Sequence, residues 1–443
     1  MKTKLEKMDL NLYYEQMDNG LDVYIVPFDK VNSVYVTFST KFGSIHDEFI
    51  PYDRTSMTKF PLGIAHFLEH KLFEQKNGVD PFTFYSERGS DANANTSNFK
   101  TTYLFSGTNF LDENLNYLLD YVQDPYFTEE NVEKEKGIID QEIRMYEDSP
   151  YYKLYDRILY NSFKNHPIKY PIGGTISSIK KITVQDLYTC YYTFYHPKNM
   201  FLVITGNVDP KDVISLIKAN QENKTFKKYK DIVLKEYDEP DNVVIKHGSA
   251  TMDIEIPKFS VAYKIRNNSN LDINKFKAYI AMFFDIKFGS VSLFNENIKE
   301  DMLSTLDMDI TLVNTDKHIL VILSNDSNNA KEIINRIEEE LENRKINEKD
   351  FNRKKKVKKS SVIYKSDSIY AINNKIMANI INEGKVITDE QEYIETLNYE
   401  EFTNTINNIN LENKTIYEIN KKKDWFIFKF VLNYQEEAIW RHY

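Results

Sequence analysis

The chain has one cysteine, Cys190, no long hydrophobic run and no excess of positive charge. A lone cysteine can neither close an intrachain disulfide nor build a thiolate zinc cluster, and such usage fits a reducing compartment. Within DLYTCYYTFY it reads as a small buried apolar residue rather than a nucleophile. The opening residues, MKTKLEKMDLNLYYEQ, lack an apolar core of signal-peptide length, and no later segment is long enough to span a membrane. A cytoplasmic location without membrane contact is therefore expected. With 57 basic against 67 acidic residues, the formal charge of −10 repels a polyanion and argues against nucleic-acid binding. One basic run, Arg353–Lys359 (RKKKVKK), stands apart; it reads as a solvated helix face, with a wall attracting acidic partners as the alternative.

What the chain has is core-forming material. Hydrophobic residues make up 41% and aromatics 14% of 443 residues, enough for two units of about 220 residues each. LDVYIVP and SVYVTFS alternate on either side of FDKVN and read as a strand pair. TTYLFSG is a further strand, LDENLNYLLDYVQ an amphipathic helix, and MFLVITG (Met200–Gly206) a strand closing the first half. The charged stretch around DEPDN reads as a linker, which divides the chain into 1–226, 227–257 and 258–443. Beyond it FSVAYKI, a helix from Asn274, HILVILS, a helix near Asn329–Asn343 and KTIYEI repeat the order of the first half. Self-comparison agrees: IAHFLEHK at Ile64 lies over IAMFFDIK at Ile280, and TEENVEKE at Thr128 over NEKDFNRK at Asn347, offsets of 216 and 219. In the second copy His66 becomes Met282, Glu69 becomes Asp285 and His70 becomes Ile286.

AHFLEHK puts His66, Glu69 and His70 within five residues of a chain with eight histidines. On a helix, residues three and four apart share a face, so two imidazoles can reach one zinc ion about 2.0–2.1 Å away while the carboxylate beside them remains free as a base. H-x-x-E-H is the reverse of H-E-x-x-H, and both place a glutamate beside a zinc-activated water. Two surface histidines next to a solvated acid is the plainer reading. A third ligand is sought in TEENVEKEKGIIDQEIRMY, a helix starting at Thr128. Its apolar stripe, Val132, Ile139 and Ile143, also contains Glu135 and Glu142. Carboxylates on a core face need a cation or a hydrogen-bond network. Glu142 is the better direct ligand and Glu135, two turns earlier, the better support behind a ligand, unless both sit at the stripe's edge and pair with Lys or Arg.

These residues, in this order, resemble the pitrilysin family of zinc peptidases, which includes insulin-degrading enzymes and mitochondrial processing peptidases. In that family HxxEH on one helix is followed about seventy residues later by E-x(6)-E, whose last glutamate is the third ligand; here Glu142 follows His70 by 72 residues. A G-x-x-x-N-A-x-T stretch on an edge strand receives the peptide, matched by GSDANANT at Gly89–Thr96. YPIGGTISSIKKITVQDL and YHPKNMFLVITGNVD also look like family landmarks. The resemblance implies an α/β half-clamshell of two homologous repeats, each an antiparallel sheet with helices on one face. It further implies Zn2+ on His66, His70 and Glu142, catalysis by Glu69 supported by Glu135, and a peptide substrate held as an added strand near Asn93 and Ala94.

A full peptidase chamber needs four such units and this chain has two. Family members that complete the site from their second half use R-x(6)-Y, but SLFNENIKEDMLSTLDM (Ser292–Met308) has neither residue. Lys299 lies in the segment but lacks the planar fork of arginine. A heterodimer with a zinc-less homologous subunit is thus favoured over a homodimer. A non-catalytic scaffold subunit, and a dedicated leader-peptide processing enzyme, are the alternative functions. The C-terminal segment KKKDWFIFKFVLNYQEEAIWRHY has no family counterpart.

Overall fold

A computed structural model describes residues 1–5 and 10–422. Most of the C-terminal segment singled out above therefore lies outside the described residues. The first repeat begins with β1 (Lys2–Leu5), β2 (Leu10–Gln16), β3 (Asp22–Pro27), β4 (Val34–Thr40) and two short strands, β5 (Glu48–Ile50) and β6 (Thr58–Lys59). Helices α1 (Ile64–Leu72) and α2 (Pro81–Ser86) lead to β7 (Asp91–Thr96) and β8 (Thr101–Gly107). Five helices follow: α3 (Leu111–Val122), α4 (Glu129–Glu147), α5 (Pro150–Ser162), α6 (Ile176–Ile179) and α7 (Val184–Phe194). β9 (Met200–Gly206), α8 (Pro210–Glu222) and β10 (Val233–Leu234) complete it.

The second repeat runs β11 (His247–Met252), β12 (Lys258–Arg266), α9 (Ile273–Phe288), α10 (Leu293–Glu300), β13 (Asp309–Asn314) and β14 (His318–Asp326). It ends with α11 (Ala330–Glu342), α12 (Glu348–Lys365), α13 (Ile369–Glu383), α14 (Glu390–Glu395), α15 (Tyr399–Asn408) and β15 (Lys414–Lys421).

Sheet topology demonstrates the duplication more firmly than sequence self-comparison. The first sheet is ordered β1-β2-β3-β9-β4-β8-β7 and the second β11-β15-β12-β14-β13. With β1 and β2 set aside, the two orders are the same, and in each one pair is parallel, β3 with β9 and β11 with β15. The remaining pairs of both sheets are antiparallel. The expected pairing of LDVYIVP with SVYVTFS does not occur, because β9 inserts between them and pairs with both. Alternation identifies a strand, but its neighbour is chosen by the whole chain's return path.

Nor is 227–257 a plain linker. Val233–Leu234 pairs with β5, and His247–Met252 is the first strand of the second sheet. HGSATM carries little apolar alternation because it is an edge strand, so only its pairing with β15 reveals it. Glu239 anchors the intervening turn: it accepts the backbone N–H groups of Lys164, Asn165 and His166 at 2.7–2.8 Å and pairs with the buried Lys264 at 2.6 Å.

Each sheet is covered on one face by its own helices and on the other by one helix from the opposite repeat. β4 is buried along its whole length as a result. Its Val34, Val36 and Phe38 face α3, α4 and α7, whereas Tyr35 joins Val26, Phe201 and Val203 under Ile369, Ile372 and Ile376 of α13. Reciprocally, Leu154 and Ile158 of α5 pack on Ala262, Leu320, Ile322 and Tyr417 of the second sheet. This exchange amends the expectation of helices on one face only, and it places part of 1–226 on the second sheet.

The basic run lies on α12, where it is less solvated than expected. Lys354 is buried against Asp285 at 2.8 Å, Lys355 and Lys359 meet Glu395, and Arg353 pairs with Asp350 at 3.1 Å. Lys354 and Asp285 occupy the places of Glu135 and Glu69, so an ion pair with its acid partly exposed stands where the first repeat gathers its histidines and acids. Cys190 is buried in α7, and burial pushes its thiol well up, in keeping with an inert packing residue.

Candidate metal centre and active site

The site is built on α1, α4 and the edge strand β7. Gly63, with φ +87°, opens α1. It packs against the turn at Gly173 and Gly174, so a Cβ on Gly63 or Gly174 would meet backbone at 2.4 Å. That contact holds Tyr170–Gly173 beside His66 as a wall of the site. α4 starts at Thr128 with a capping box, in which Thr128 and Asn131 each accept the other's backbone N–H. From there Val132, Glu135, Ile139 and Ile143 face the core, as the stripe predicts.

His66, His70 and Glu142 converge, with one ligand atom of each lying within 4.8 Å of the others. Oε2 of Glu142 is 3.5 Å from His70 Nε2 and 3.8 Å from His66 Nε2, and it is buried without a hydrogen-bond partner. An orphaned carboxylate oxygen facing two imidazole nitrogens is costly by itself and resolved by a cation. Donors about 2.0–2.1 Å from a tetrahedral ion stand roughly 3.3 Å apart, close to the spacing here. The two imidazoles and one carboxylate thus fit a zinc ion.

The two imidazoles are shifted in opposite directions. Burial, reinforced by the neighbouring His70, pushes His66 down to about 3, so its ring is neutral and its lone pair available. For His70 burial acts downward, but the Glu135 hydrogen bond and the charges of Glu135, Glu69 and Glu142 outweigh it and leave the group raised. Glu135 is buried and its Oε1 lies 3.0 Å from His70 Nδ1, which turns Nε2 toward Glu142. Glu69 does not join the ligand cluster. Its carboxyl is raised by burial, and its Oε2 accepts a 2.6 Å hydrogen bond from Thr96.

A cavity of about 370 Å3 opens over these residues. Ala94 lines it, whereas Asn93 is exposed and not among the lining residues, its Oδ1 accepting the Ala94 N–H at 2.8 Å. Asn95, Thr96 and Asn98 line the cavity without having been singled out from sequence. Strand alternation from Ala94 points to Thr96, two residues on, as a same-face neighbour. Tyr146, Tyr152, Tyr155 and Tyr170 form an aromatic wall. Tyr152 and Tyr155 sit on α5, the helix packed on the second sheet, and nothing in the local sequence signals their approach. Lys299 is spent on Asp307 at 2.5 Å.

Among the described residues the duplicated α/β half-shell gathers one His/His/Glu cluster, in its first repeat, with the buried Glu69 beside it, an arrangement of the metallopeptidase type. Comparison with known families bears out the fold. The model of insulinase, peptidase family M16, matches residues 57–176, and that of the peptidase M16 inactive domain matches 181–358. The chain belongs to peptidase family M16, the zinc-protease family that its sequence motifs resemble. It is 44% identical over 297 residues to the uncharacterised zinc protease YmfH of Bacillus subtilis, covering 67% of this chain and 69% of that one. An M16-like peptidase from Alicyclobacillus acidocaldarius matches with TM-score 0.88 and 28% identity over 93% of this chain and 99% of its own. The periplasmic protease PqqL from Escherichia coli shares the fold at TM-score 0.71 and 18% identity, with 96% of this chain covering 49% of that longer one.

Among the described residues no helix is long and apolar enough to cross a membrane.

Proposed function

We propose that the chain is a zinc-dependent endopeptidase whose substrate chamber is completed by a related, zinc-less subunit. The observation that carries the reading is the buried Oε2 of Glu142, unpartnered and aimed at the Nε2 atoms of both histidines. His66, His70 and Glu142 would hold the ion, which when bound supplies a Lewis acid that polarises a carbonyl and acidifies water. Glu135 orients His70 through Nδ1.

Glu69 moves the proton. Thr96 fixes one of its oxygens, leaving the other to take a proton from the attacking water and return it to the leaving amine. Burial raises its carboxyl, which makes it a stronger base toward the water than an exposed glutamate. An extended peptide would add to β7, an edge strand of the first sheet, by main-chain hydrogen bonds that discriminate little between sequences. The tyrosine wall would then set which side chains fit. For the partner, the support is the missing Arg and Tyr in Ser292–Met308 and the internal pairing of Lys299.

Glu69→Gln tests the reading. The variant is expected to keep about one zinc per chain while peptide hydrolysis falls by about 10²- to 10⁴-fold. Undiminished hydrolysis with full zinc content would sink the role of Glu69.

A further inference from the structure

Lys71 is a charged side chain of the HFLEHK helix that the reaction above leaves without a role. Its side chain is fully buried, directly after His70 on α1. A lysine so placed persists only where carboxylates or carbonyls surround its ammonium. Nζ has three such neighbours: the Glu74 carboxylate, the Asn131 carbonyl at 3.3 Å and Oε2 of Glu135 at 3.8 Å. The other oxygen of the same Glu135 carboxylate, Oε1, lies 3.0 Å from His70 Nδ1. One carboxylate of α4 therefore bridges an ammonium and an imidazole carried by consecutive residues of α1.

We propose that Lys71 is a positioning residue for the metal centre, acting through Glu135 to fix the ring of His70 so that Nε2 faces Glu142. The hydrogen bond at Oε1 alone would let the carboxylate swing about its own bond, and the buried ammonium 3.8 Å from Oε2, an ion pair outside hydrogen-bond reach, opposes that swing by its charge, so that the ring is held with it. The second repeat supplies the contrast. At the position equivalent to Lys71, Lys287 turns to Glu340 of α11 at 2.7 Å, and the place of Glu135 is taken by Lys354. Where the histidines are absent, the lysine-to-carboxylate bridge toward them is absent as well. A bare pin between α1 and α4, through the Asn131 carbonyl, is the competing role.

The proposal rests on the zinc-peptidase reading, and wild-type protein separates the two: a full-length chain that takes up no zinc overturns that reading itself. Zinc affinity is measured by competition with a chromophoric chelator for wild type, Lys71→Met, Glu135→Gln and the double variant. Lys71→Met is expected to weaken zinc binding by about 10- to 100-fold, the range for groups that support a metal ligand. In the Glu135→Gln background the same change should add less than about twofold, because the lysine acts only through that carboxylate. Wild-type affinity in Lys71→Met, or a full additional loss in the double variant, overturns the proposal. Should Lys71→Met fail to fold, Lys71→Gln, which keeps a donor for the Asn131 carbonyl, carries the same cycle. If neither folds, the lysine is a helix pin and the proposal is wrong.

Discussion

Thr96 donates a 2.6 Å hydrogen bond to Oε2 of Glu69, tying the edge strand β7 to the helix α1 at the point where a peptide would lie. Burial raises the Glu69 carboxyl and this bond pulls it back. Thr96→Val removes the strongest of the pulls that oppose burial, leaving those of His70 and the Thr96 backbone, so the carboxyl rises further and a larger share is protonated at any given pH. The acid limb of kcat/KM should move to higher pH, so that the loss is larger at about pH 6 than at about pH 8, with zinc content unchanged. A uniform loss across the pH range would point to a different role for Thr96.

Removing the metal should loosen the fold as well as stop the reaction. Glu142, Glu135 and Glu69 crowd two imidazoles, and the orphaned Oε2 has no other partner to compensate it. Chelation is expected to lower Tm by about 5 °C or more, and one equivalent of zinc to restore it. Calorimetry on chelated and reloaded protein checks this; an identical Tm in both states would contradict the proposed ligand set.

The exchanged helices make a third prediction. Asn373 of α13 is buried, accepts from Thr37 Oγ1 at 2.7 Å and donates to the Val203 and Tyr35 carbonyls at 3.0 and 3.2 Å. Asn373→Leu strands these groups and should cost about 2–4 kcal/mol by chemical denaturation. For the same reason residues 1–246 expressed alone should aggregate, since Val26, Tyr35, Phe201 and Val203 lose their cover. Co-expression of the remainder should rescue them, and a monomeric, folded 1–246 fragment would refute the exchange as a folding requirement.

Asp156 lines the cavity, and burial lifts its carboxyl to about 6 against a weaker opposing pull from Arg157. The folded-state value lies above the ordinary 3.8, so ionisation costs stability only in the native state. That cost is absent at pH below the ordinary value and grows as pH rises through the folded one. Asp156→Asn should therefore be more stable than wild type by about 1–2 kcal/mol near pH 8 and indistinguishable from it near pH 4. A pH-independent difference would show that Asp156 is not held in this way.

Much of the site was legible because its chemistry is local. His66, Glu69 and His70 lie on one helix, and Glu135 and Glu142 on another whose cap and stripe are written in consecutive residues. Two carboxylates in an apolar stripe call for a cation or a hydrogen-bond network, since burial without either is costly. Strand positions such as Met200–Gly206 and the duplication itself were readable from alternation and self-similarity.

Tertiary structure alone decided the rest. It inserted β9 between β3 and β4, made His247–Met252 a strand, and laid α5 and α13 across opposite repeats. Those choices depend on contacts between residues hundreds of positions apart, such as Thr37 with Asn373, which no window of sequence contains. The same holds for the finer chemistry. Periodicity brings Glu135 to the core face, but only the packing of α1 on α4 sets one of its oxygens on His70 and the other toward Lys71. Spacing along a helix determines which side chains share a face; what that face meets is determined by the fold.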